Sequence, residues 1–175
     1  MKLHIGCGNR YFEGWTNLDI LEGTADVIDD ARVLSKIPDS SCDIIYAAHV
    51  LEHFGRHEVN EVITVWFKKL KKGGILRLSV PDFEKIVKMY SKGTDLKTLL
   101  GYICGGQKDD FDFHKMIFDE STLSELLHNA GFKKTNRWNW KETDHSQYDD
   151  YSQAYLPHMD KEHGVMMSLN LEAIK

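Results

Sequence analysis

The sequence contains few cysteines and few prolines, and both shortages exclude classes of protein. Its three cysteines, at positions 7, 42 and 104, are odd in number and widely separated, so neither a disulfide framework nor a paired-thiol metal site is predicted. Three prolines alongside 42% apolar residues and four tryptophans argue against a disordered chain, which would lack the apolar surface to offset its ordering entropy. We therefore expect one domain over residues 1–175, in the reducing cytoplasm.

Long hydrophobic runs and an excess of positive charge are also missing. No stretch approaches 18 apolar residues, and neither a cationic nor an apolar leader precedes the first strand pattern, so we expect no membrane insertion and no secretory signal. The net charge is −5, and phosphate binding needs a basic surface, so general nucleic-acid binding is not expected. The lysines at 68, 69, 71 and 72 suit the solvated end of a helix. The oligomeric state is not indicated.

Short apolar segments alternate with helical patterns in the first half of the chain. Strands are predicted at Lys2–Ile5, Trp15–Ile20 and Ala25–Ile28. The nearly unbroken apolar run DIIYAAHV predicts a strand buried on both faces, at the centre of a parallel sheet. From Val50 to Lys72 apolar residues recur at helical spacing, and the glycine pair at 73 and 74 is the expected helix stop.

The second half continues the same rhythm, which is typical of an α/β sheet. ILRLSV forms a strand, Asp82 caps the helix that follows, and Ser121 is the expected cap of a helix that Gly131 ends. FKKTNRWNW and MMSLNLEAIK are the last two predicted strands. Residues 91–116 interrupt the alternation with one helix and polar loops, so they are interpreted as a substrate-side insertion. Residues 141–163 have no assignable pattern.

Four neighbouring strand ends carry residues suited to a small ligand. Gly6, Asp19, Asp30 and His49 each end a separate predicted strand, and ligands of open parallel sheets bind at such ends. A glycine allows close backbone approach, and its N–H groups can meet a carboxylate or phosphate. A carboxylate at the second strand end can accept ribose hydroxyls. One at the third can accept the adenine amine, with the N–H of Ala31 facing the ring. Asp29 competes with Asp30 for this role, and solvated loop acids are the alternative for both.

Several ordered motifs, HIGCG, NLDI, DDARVLSKIPDSSCDIIYAAHVLEHF and LKKGGILRLSVPDFEKI, resemble those of class I S-adenosylmethionine-dependent methyltransferases. They are especially similar to a compact, largely uncharacterised bacterial subgroup. The resemblance implies a Rossmann-like α/β fold with a doubly wound, mostly parallel sheet, an antiparallel last strand and three layers. It also implies S-adenosyl-L-methionine as donor and S-adenosyl-L-homocysteine as product. By motif position Gly6, Cys7, Gly8 and Asn9 would line the methionine portion, Asp19 and Ile20 the ribose, Asp30 and Ala31 the adenine, and His49 the sulfonium pocket.

The connection between the glycine turn and the acid is unusually short. Asp19 lies only eleven positions after Gly8, whereas a dinucleotide-binding unit places a helix between the glycine turn and the acid, which are roughly 20 residues apart. A pyrophosphate would need the N-terminus of that missing first helix, so an NAD-type enzyme is the weaker alternative. Asn9, Arg10 and Tyr11 are expected to replace the helix as a wall, leaving that side of the donor more open to a bulky acceptor.

The histidines supply candidates for catalysis. His49, near the methyl group by motif position, and His114, in the insertion, are the proposed general bases for a hydroxyl acceptor. His49, His53 and His57 are spaced by four, as two zinc-binding histidines on a helix can be, but Gly55 interrupts the segment, so no metal site is predicted. The predicted reaction is O-methylation of a sugar, glycan or small metabolite. A donor-binding partner protein without catalysis is a further alternative.

Overall fold

The computed structural model describes residues 1–175. It confirms the predicted succession of strand, helix, strand and helix between residues 42 and 91, whereas the first four strands follow one another without an α-helix. The strands are β1 Lys2–Ile5, β2 Thr16–Asp19, β3 Val27–Ile28, β4 Cys42–Ala48, β5 Leu70–Pro81, β6 Lys134–Arg137, β7 Tyr155–Leu156, β8 Val165–Met166 and β9 Ser168–Ile174. The α-helices are α1 Val59–Lys69, α2 Phe83–Ser91, α3 Leu96–Cys104 and α4 Glu120–Asn129. Short 3-10 turns occur at Leu51–His53, Trp140–Glu142 and Tyr151–Gln153.

The main sheet has seven strands in the order β3-β2-β1-β4-β5-β9-β6. β1 to β5 are parallel to one another, and β9 runs antiparallel between β5 and β6, which confirms the α/β class and the antiparallel last strand. After β3 the chain returns to place β4 on the other side of β1, so the strand order reverses between β1 and β4. Ligands of open α/β sheets bind at this switch point.

The two faces of the sheet are covered by different kinds of structure, helices on one face and loops on the other. Alternate residues of a strand point to opposite faces. Leu3 and Ile5 of β1 belong to the large core cluster, to which α1 contributes the fully buried Trp66 and α4 contributes Leu123 and Leu127. Helices therefore cover this face. His4 of β1, between Leu3 and Ile5, faces the opposite side.

Aromatic residues from the loops cover the second face. Phe12 stacks between His4 and Tyr148, with ring centroids 4.0 and 4.3 Å away. Trp138 packs in the same cluster, and its indole N–H donates to the Leu78 carbonyl at 2.9 Å. Tyr46 of β4 donates to Asp150 at 2.6 Å. Residues 138–153, most of which the sequence pattern left unassigned, thus form the outer layer where the first helix is missing.

Two predicted helix boundaries were wrong. Residues 50–72 do not form one helix: a 3-10 turn occupies Leu51–His53, and α1 begins only at Val59. The glycine pair at 73 and 74 lies inside β5, which begins directly after α1. The pairing of β4 with β5 shifts register there, from Cys42–Leu70 to Ile44–Ile75, and this irregularity absorbs the extra residues.

The N-terminus of α4 also differs from the prediction. Asp119, rather than Ser121, is the cap, and its side chain accepts from the Thr122 N–H at 2.7 Å. Both are good capping residues, so the sequence alone could not separate them. The predicted cap of α2 is confirmed, because Asp82 accepts from the Lys85 N–H at 3.2 Å. No helix has the length and apolar character needed to cross a bilayer.

The buried His145 makes stability depend on pH. Burial, with the nearby Arg77 charge, lowers its pKa to about 4. Between pH 6.5, the ordinary pKa of histidine, and about pH 4, the imidazole is protonated in the unfolded chain but not in the folded protein. The free energy of unfolding therefore falls as the pH decreases through this interval. A shift of this size corresponds to roughly 3 kcal/mol. Burial also lowers the pKa of His4, which acts in the same direction.

Urea unfolding at about pH 7 and about pH 4.5 measures this loss. His145→Gln, which keeps an acceptor for Arg77, is expected to lose less stability than the wild type over that interval. His158→Gln, at an exposed position, is expected to lose as much as the wild type. An equal loss in all three proteins would contradict the assignment to His145.

Candidate functional site

A cleft of about 610 Å³ opens at the carboxyl ends of β1, β2, β3 and β4, a size typical of small-molecule sites. Eight of the ten residues singled out from the sequence line it: Gly6, Gly8, Asn9, Asp19, Ile20, Asp30, Ala31 and His49. Cys7 and His114 do not. The strand ends identified from the sequence therefore meet around one cavity.

The glycine turn at the end of β1 depends on the absence of a side chain. Gly6 has φ of +66°, and a Cβ there would collide with Cγ2 of Val50. Gly8 has φ of +52°, and a Cβ on it would meet only open space. Gly6 is thus required by packing against Val50, whereas the surroundings of Gly8 leave room for a ligand.

The amide groups of this turn are already occupied, contrary to our expectation. The N–H groups of Gly6 and Cys7 both donate to the Leu18 carbonyl, at 2.8 and 3.1 Å. The N–H of Gly8 donates to Asp19 at 2.8 Å. Because a phosphate cradle needs free N–H groups, the turn offers close approach to a ligand rather than an anion site.

Asp19 fixes the turn and still presents acceptor capacity. Its Oδ2 accepts from the Gly8 N–H, and its Oδ1 accepts from the Leu21 N–H at 3.0 Å. Each carboxylate oxygen has two acceptor sites, so each can accept one further hydrogen bond. The Asp19 carbonyl accepts from the Asp29 N–H at 3.0 Å, which joins the ends of β2 and β3.

The two candidate acids after β3 have different surroundings. Asp29 holds the turn: its side chain accepts from the N–H of Asp30 at 2.9 Å, the hydroxyl of Ser35 at 3.0 Å and the N–H of Lys36 at 2.7 Å. The Asp30 carboxylate instead receives the Arg32 guanidinium, with contacts of 2.6 to 3.0 Å. Hydrogen bonding to Arg32 lowers the pKa of Asp30, so an ionised carboxylate lies at the cleft.

The backbone of Ala31 suits a planar ligand. Its carbonyl accepts from the indole N–H of Trp66 at 2.7 Å, which anchors the turn to the core. Its own N–H makes no hydrogen bond within the protein and is therefore available to a ligand at the cleft wall.

The cleft is strongly acidic. Seven carboxylates line it against three cationic side chains: Asp19, Asp29, Asp30, Glu58, Asp109, Asp110 and Asp112, with Arg32, Lys108 and Lys115. Such an imbalance attracts cations and repels polyanions. The loop over residues 108–112, which lies in the insertion expected on the substrate side, contributes three of these acids.

A smaller pocket of about 140 Å³ adjoins the glycine turn. Its outer wall is formed by Arg10, whose Nε donates to the Asp149 carbonyl at 2.7 Å and whose guanidinium lies 4.9 Å from the Tyr151 ring centre. The expected wall was Asn9, Arg10 and Tyr11, but the Tyr11 hydroxyl donates to Asp26 at 3.0 Å and Tyr11 lines neither pocket. Residues 149–151 are far from Arg10 in sequence, so no local pattern could reveal their part.

Cys7 lines this smaller pocket rather than the cleft. Burial, with the Asp19 charge, raises the pKa of its thiol to about 11. The group is therefore a neutral thiol at physiological pH, and a thiol lacks the nucleophilicity and metal affinity of a thiolate.

The orientation of His49 does not suit a free general base. Its Nε2 lies 3.0 Å from Ser168 Oγ, and its Nδ1 lies 3.1 Å from Glu52 Oε1. The Ser168 hydroxyl donates its only proton to the Tyr151 carbonyl at 2.6 Å, so it must accept from His49 Nε2–H. Both ring nitrogens are thus turned toward protein groups, although the residue lines the cleft.

His114 lies away from the cleft, which corrects its expected acceptor-side position. Its side chain is 7% exposed, and its Nδ1 donates to the Tyr102 carbonyl at 3.0 Å. Burial lowers its pKa, so the ring is neutral near physiological pH. A buried imidazole with this orientation does not reach a substrate in the cleft.

Glu52 is a completely buried carboxylate among three histidines, and the sequence analysis did not single it out. Burial opposes its ionisation, but charge interactions with the neighbouring histidines, chiefly His49, lower its pKa. His57 stays apart, accepting from Arg56 Nε at 3.0 Å on the exposed surface. The histidines at 49, 53 and 57 thus do not form one stripe.

Comparison with known proteins supports the fold. Residues 15–78 match a family described as a methyltransferase domain. Similar solved structures include an S-adenosylmethionine-dependent methyltransferase of Archaeoglobus fulgidus, at 19% identity over 99% of this chain and 85% of that one, with a TM-score of 0.61. A possible histamine N-methyltransferase of Thermotoga maritima has 16% identity over 99% and 81%, with a TM-score of 0.63.

A third similar structure contains a demethylated donor. It is the 1,6-didemethyltoxoflavin-N1-methyltransferase of Burkholderia thailandensis with bound 1,6-didemethyltoxoflavin and S-adenosylhomocysteine, at 15% identity over 99% of this chain and 70% of that one, with a TM-score of 0.57. At these identities the structural likeness establishes the fold alone. No curated protein matches the sequence significantly.

Gly6→Ala tests the construction of the glycine turn. The change places a Cβ at positive φ and against Val50, whereas Gly14→Ala has positive φ but open space. We expect Gly14→Ala to cost about 1–2 kcal/mol of unfolding free energy, and Gly6→Ala to cost at least about 1 kcal/mol more.

The collision should be relieved when Val50 is shortened. In a Val50→Ala background, which removes the colliding methyl group, the extra cost of Gly6→Ala should largely disappear in urea unfolding. Equal costs for Gly6→Ala in both backgrounds would disprove the packing explanation.

Proposed function

We propose that this chain is a class I S-adenosylmethionine-dependent methyltransferase, as its similarity to a methyltransferase domain and to solved methyltransferases supports, and that it methylates a hydroxyl oxygen of a sugar, glycan or related small metabolite. The observation that carries the assignment is the meeting of the glycine turn, Asp19 and the Asp30–Ala31 turn around one acidic cleft. The identity of the acceptor is the part of the proposal that goes beyond the family.

The residues of the cleft fit the donor piece by piece. Asp19 retains acceptor sites for ribose hydroxyls. The free N–H of Ala31 can donate to a ring nitrogen of adenine, and Asp30 lies beside it, although Arg32 occupies much of its carboxylate. Ile20 adds apolar surface to the same wall.

The other end of the donor would lie along the glycine turn. Gly6 and Gly8 allow close approach there, with Asn9 at the edge of the cleft and Cys7 behind the turn. The adjoining small pocket contains Arg10, a guanidinium of the kind that binds carboxylates. We assign the amino-acid end of the donor to this pocket.

Charge and geometry both disfavour the NAD-type alternative. A pyrophosphate carries negative charge into a cleft with seven carboxylates and three cations. The amides of Gly6, Cys7 and Gly8 are occupied by Leu18 and Asp19, and no helix follows the turn before β2. A cationic sulfonium, by contrast, suits the acidic lining.

The loop over the cleft favours a polyhydroxylated acceptor. Asp109, Asp110 and Asp112 line the cleft and can accept hydroxyl hydrogen bonds, and the half-exposed ring of Phe111 offers an apolar platform for a sugar face. When bound, the donor supplies a methyl group on a cationic sulfur. The acceptor oxygen then forms its bond to that carbon as the S–C bond breaks, the electron pair stays on sulfur, and the hydroxyl proton passes to a loop carboxylate.

The protein contributes mainly alignment to this reaction, which can lower the barrier by several kcal/mol. His49, held by Ser168 and Glu52, is a positioning residue at the edge of the cleft rather than a proton acceptor. His114 is too deeply buried for the acceptor-side role expected from the sequence.

Calorimetry distinguishes the donor from a dinucleotide. We expect S-adenosylmethionine and S-adenosylhomocysteine to bind and NAD not to bind. Asp19→Ala removes a charged hydrogen-bond acceptor and should weaken binding of S-adenosylhomocysteine about 10- to 100-fold. Glu22→Gln, at an exposed loop acid outside the cleft, should leave the affinity unchanged. Binding of NAD alone would refute the donor assignment.

A tritiated-methyl transfer assay tests the acceptor. Transfer from labelled S-adenosylmethionine to free sugars or glycan fragments is expected, with little transfer to proteins or amines. Label transferred only to nitrogen acceptors would overturn O-methylation. Tight donor binding with no transfer to any acceptor class in a cell extract would support the non-catalytic alternative instead.

A further inference from the structure

Three histidines converge on the carboxylate of Glu52 beneath the cleft. His49 Nδ1 lies 3.1 Å and His114 Nε2 lies 3.8 Å from Glu52 Oε1. One ligand-capable atom from each of Glu52, His53 and His114 lies within 4.8 Å of the other two. Glu52 and His53 come from the turn after β4, whereas His114 comes from the distant insertion.

Hydrogen bonds on the outer side of each ring determine which nitrogen carries the proton. Nδ1 of His53 lies 3.1 Å from the Phe113 carbonyl, and Nδ1 of His114 lies 3.0 Å from the Tyr102 carbonyl. Because a carbonyl only accepts, both Nδ1 atoms are donors. In the neutral rings each Nε2 therefore presents a lone pair. His49 donates its Nε2–H to Ser168, and its Nδ1 faces Glu52.

This arrangement leaves the buried carboxyl group of Glu52 without a hydrogen bond from His53 or His114. Glu52 is 0% exposed, and neither of its carboxylate oxygens has a partner in hydrogen-bond geometry, although His49 Nδ1 lies close to Oε1. Burying an unpaired carboxylate is costly, so such groups in proteins are paired with a cation or coordinate a metal. The cluster thus has the ligand atoms of a cation site, and the Glu52 carboxylate lacks the hydrogen bonds that would stabilise it without a cation.

We propose that Glu52, His53 and His114 bind a divalent first-row transition metal ion, with zinc as the expected ion. Imidazole with one carboxylate suits zinc, whereas magnesium and calcium prefer all-oxygen sites. Backbone carbonyls hold the outer nitrogens of both histidines, as is typical of metal-ligating imidazoles. Ligands around tetrahedral zinc lie roughly 3.3 Å apart, so binding requires the side chains to close by about an ångström.

The position of the site connects two parts of the cleft. The Glu52 carbonyl accepts from the N–H groups of Lys115 and Met116, at 2.8 and 3.1 Å, so the ion would join the turn after β4 to the loop that covers the cleft. His53 itself lines the cleft. An ion there could hold an acceptor oxygen, and that role, unlike the binding itself, rests on the proposed function.

Metal titration of tag-free, chelator-treated protein tests the site. We expect one equivalent of zinc to bind and cobalt(II) to give the visible absorption of a four-coordinate nitrogen and oxygen site. His53→Asn and His114→Asn should each weaken zinc binding about 100-fold or more, since each removes a ligand. His57→Asn, an exposed histidine near the same turn, should bind zinc like the wild type.

Three further measurements keep the outcome clear. Zinc should raise the melting temperature of the wild type and of His57→Asn but not of His53→Asn, whose folding is checked by circular dichroism. Substoichiometric zinc in the wild type, or undiminished zinc binding in both His53→Asn and His114→Asn, would overturn the site. Calorimetry with S-adenosylhomocysteine in the absence of metal reports on the proposed function separately.

Discussion

Phe12 stacks between His4 and Tyr148, and this contact joins the start of the chain to the segment that covers the second face of the sheet. The connection between β1 and β2 is too short for a helix. Without the aromatic segment, the second face of the sheet would therefore be exposed to solvent. The aromatic cluster removes that surface from water, and aromatic pairs add specific geometry to the burial. The smaller pocket depends on it, because Tyr151, which packs against Arg10 in its wall, belongs to this segment.

The two ends of the cleft are built in different ways. At the donor end, short-range backbone hydrogen bonds fix the glycine turn and Asp19, so the arrangement follows from a few adjacent residues. At the other end, the loop over residues 108–115 is held through Glu52 and the histidines around it. The glycine turn and Asp19 suit a ligand that is always the same. In the loop, the side chains that face the cleft can differ while the contacts with Glu52 stay in place.

Local patterns predicted well which strand ends meet at the cleft. Each strand end is marked by an apolar run followed by glycine, aspartate or histidine, and parallel strands bring such ends together, so Gly6, Asp19 and Asp30 could be grouped before any coordinates. Helix boundaries were harder, because the residues before Val59 form a 3-10 turn and a loop rather than the start of α1, and β5 starts at once after Lys69.

The parts that could not be predicted depend on contacts between distant segments. Arg10 meets Asp149, and His114 meets Glu52, across many residues that show no shared periodicity. The aromatic residues of 138–153 have no alternation because they fold as 3-10 turns and loops. A single sequence contains no signal for such pairings, whereas the strand and helix periods repeat within a few residues.

The insertion of β9 between β5 and β6 has a consequence for how the molecule assembles. β5 pairs with β9 along seven residue positions, and the aromatic cover of β1 and β4 comes from the residues between β6 and β9. The amino-terminal half alone therefore lacks the strand that pairs with β5 and part of the aromatic cover of its sheet. Completing the sheet requires long-range strand pairing, which is slow compared with local helix formation, and a cut through the middle of the chain would separate β9 from its partner β5.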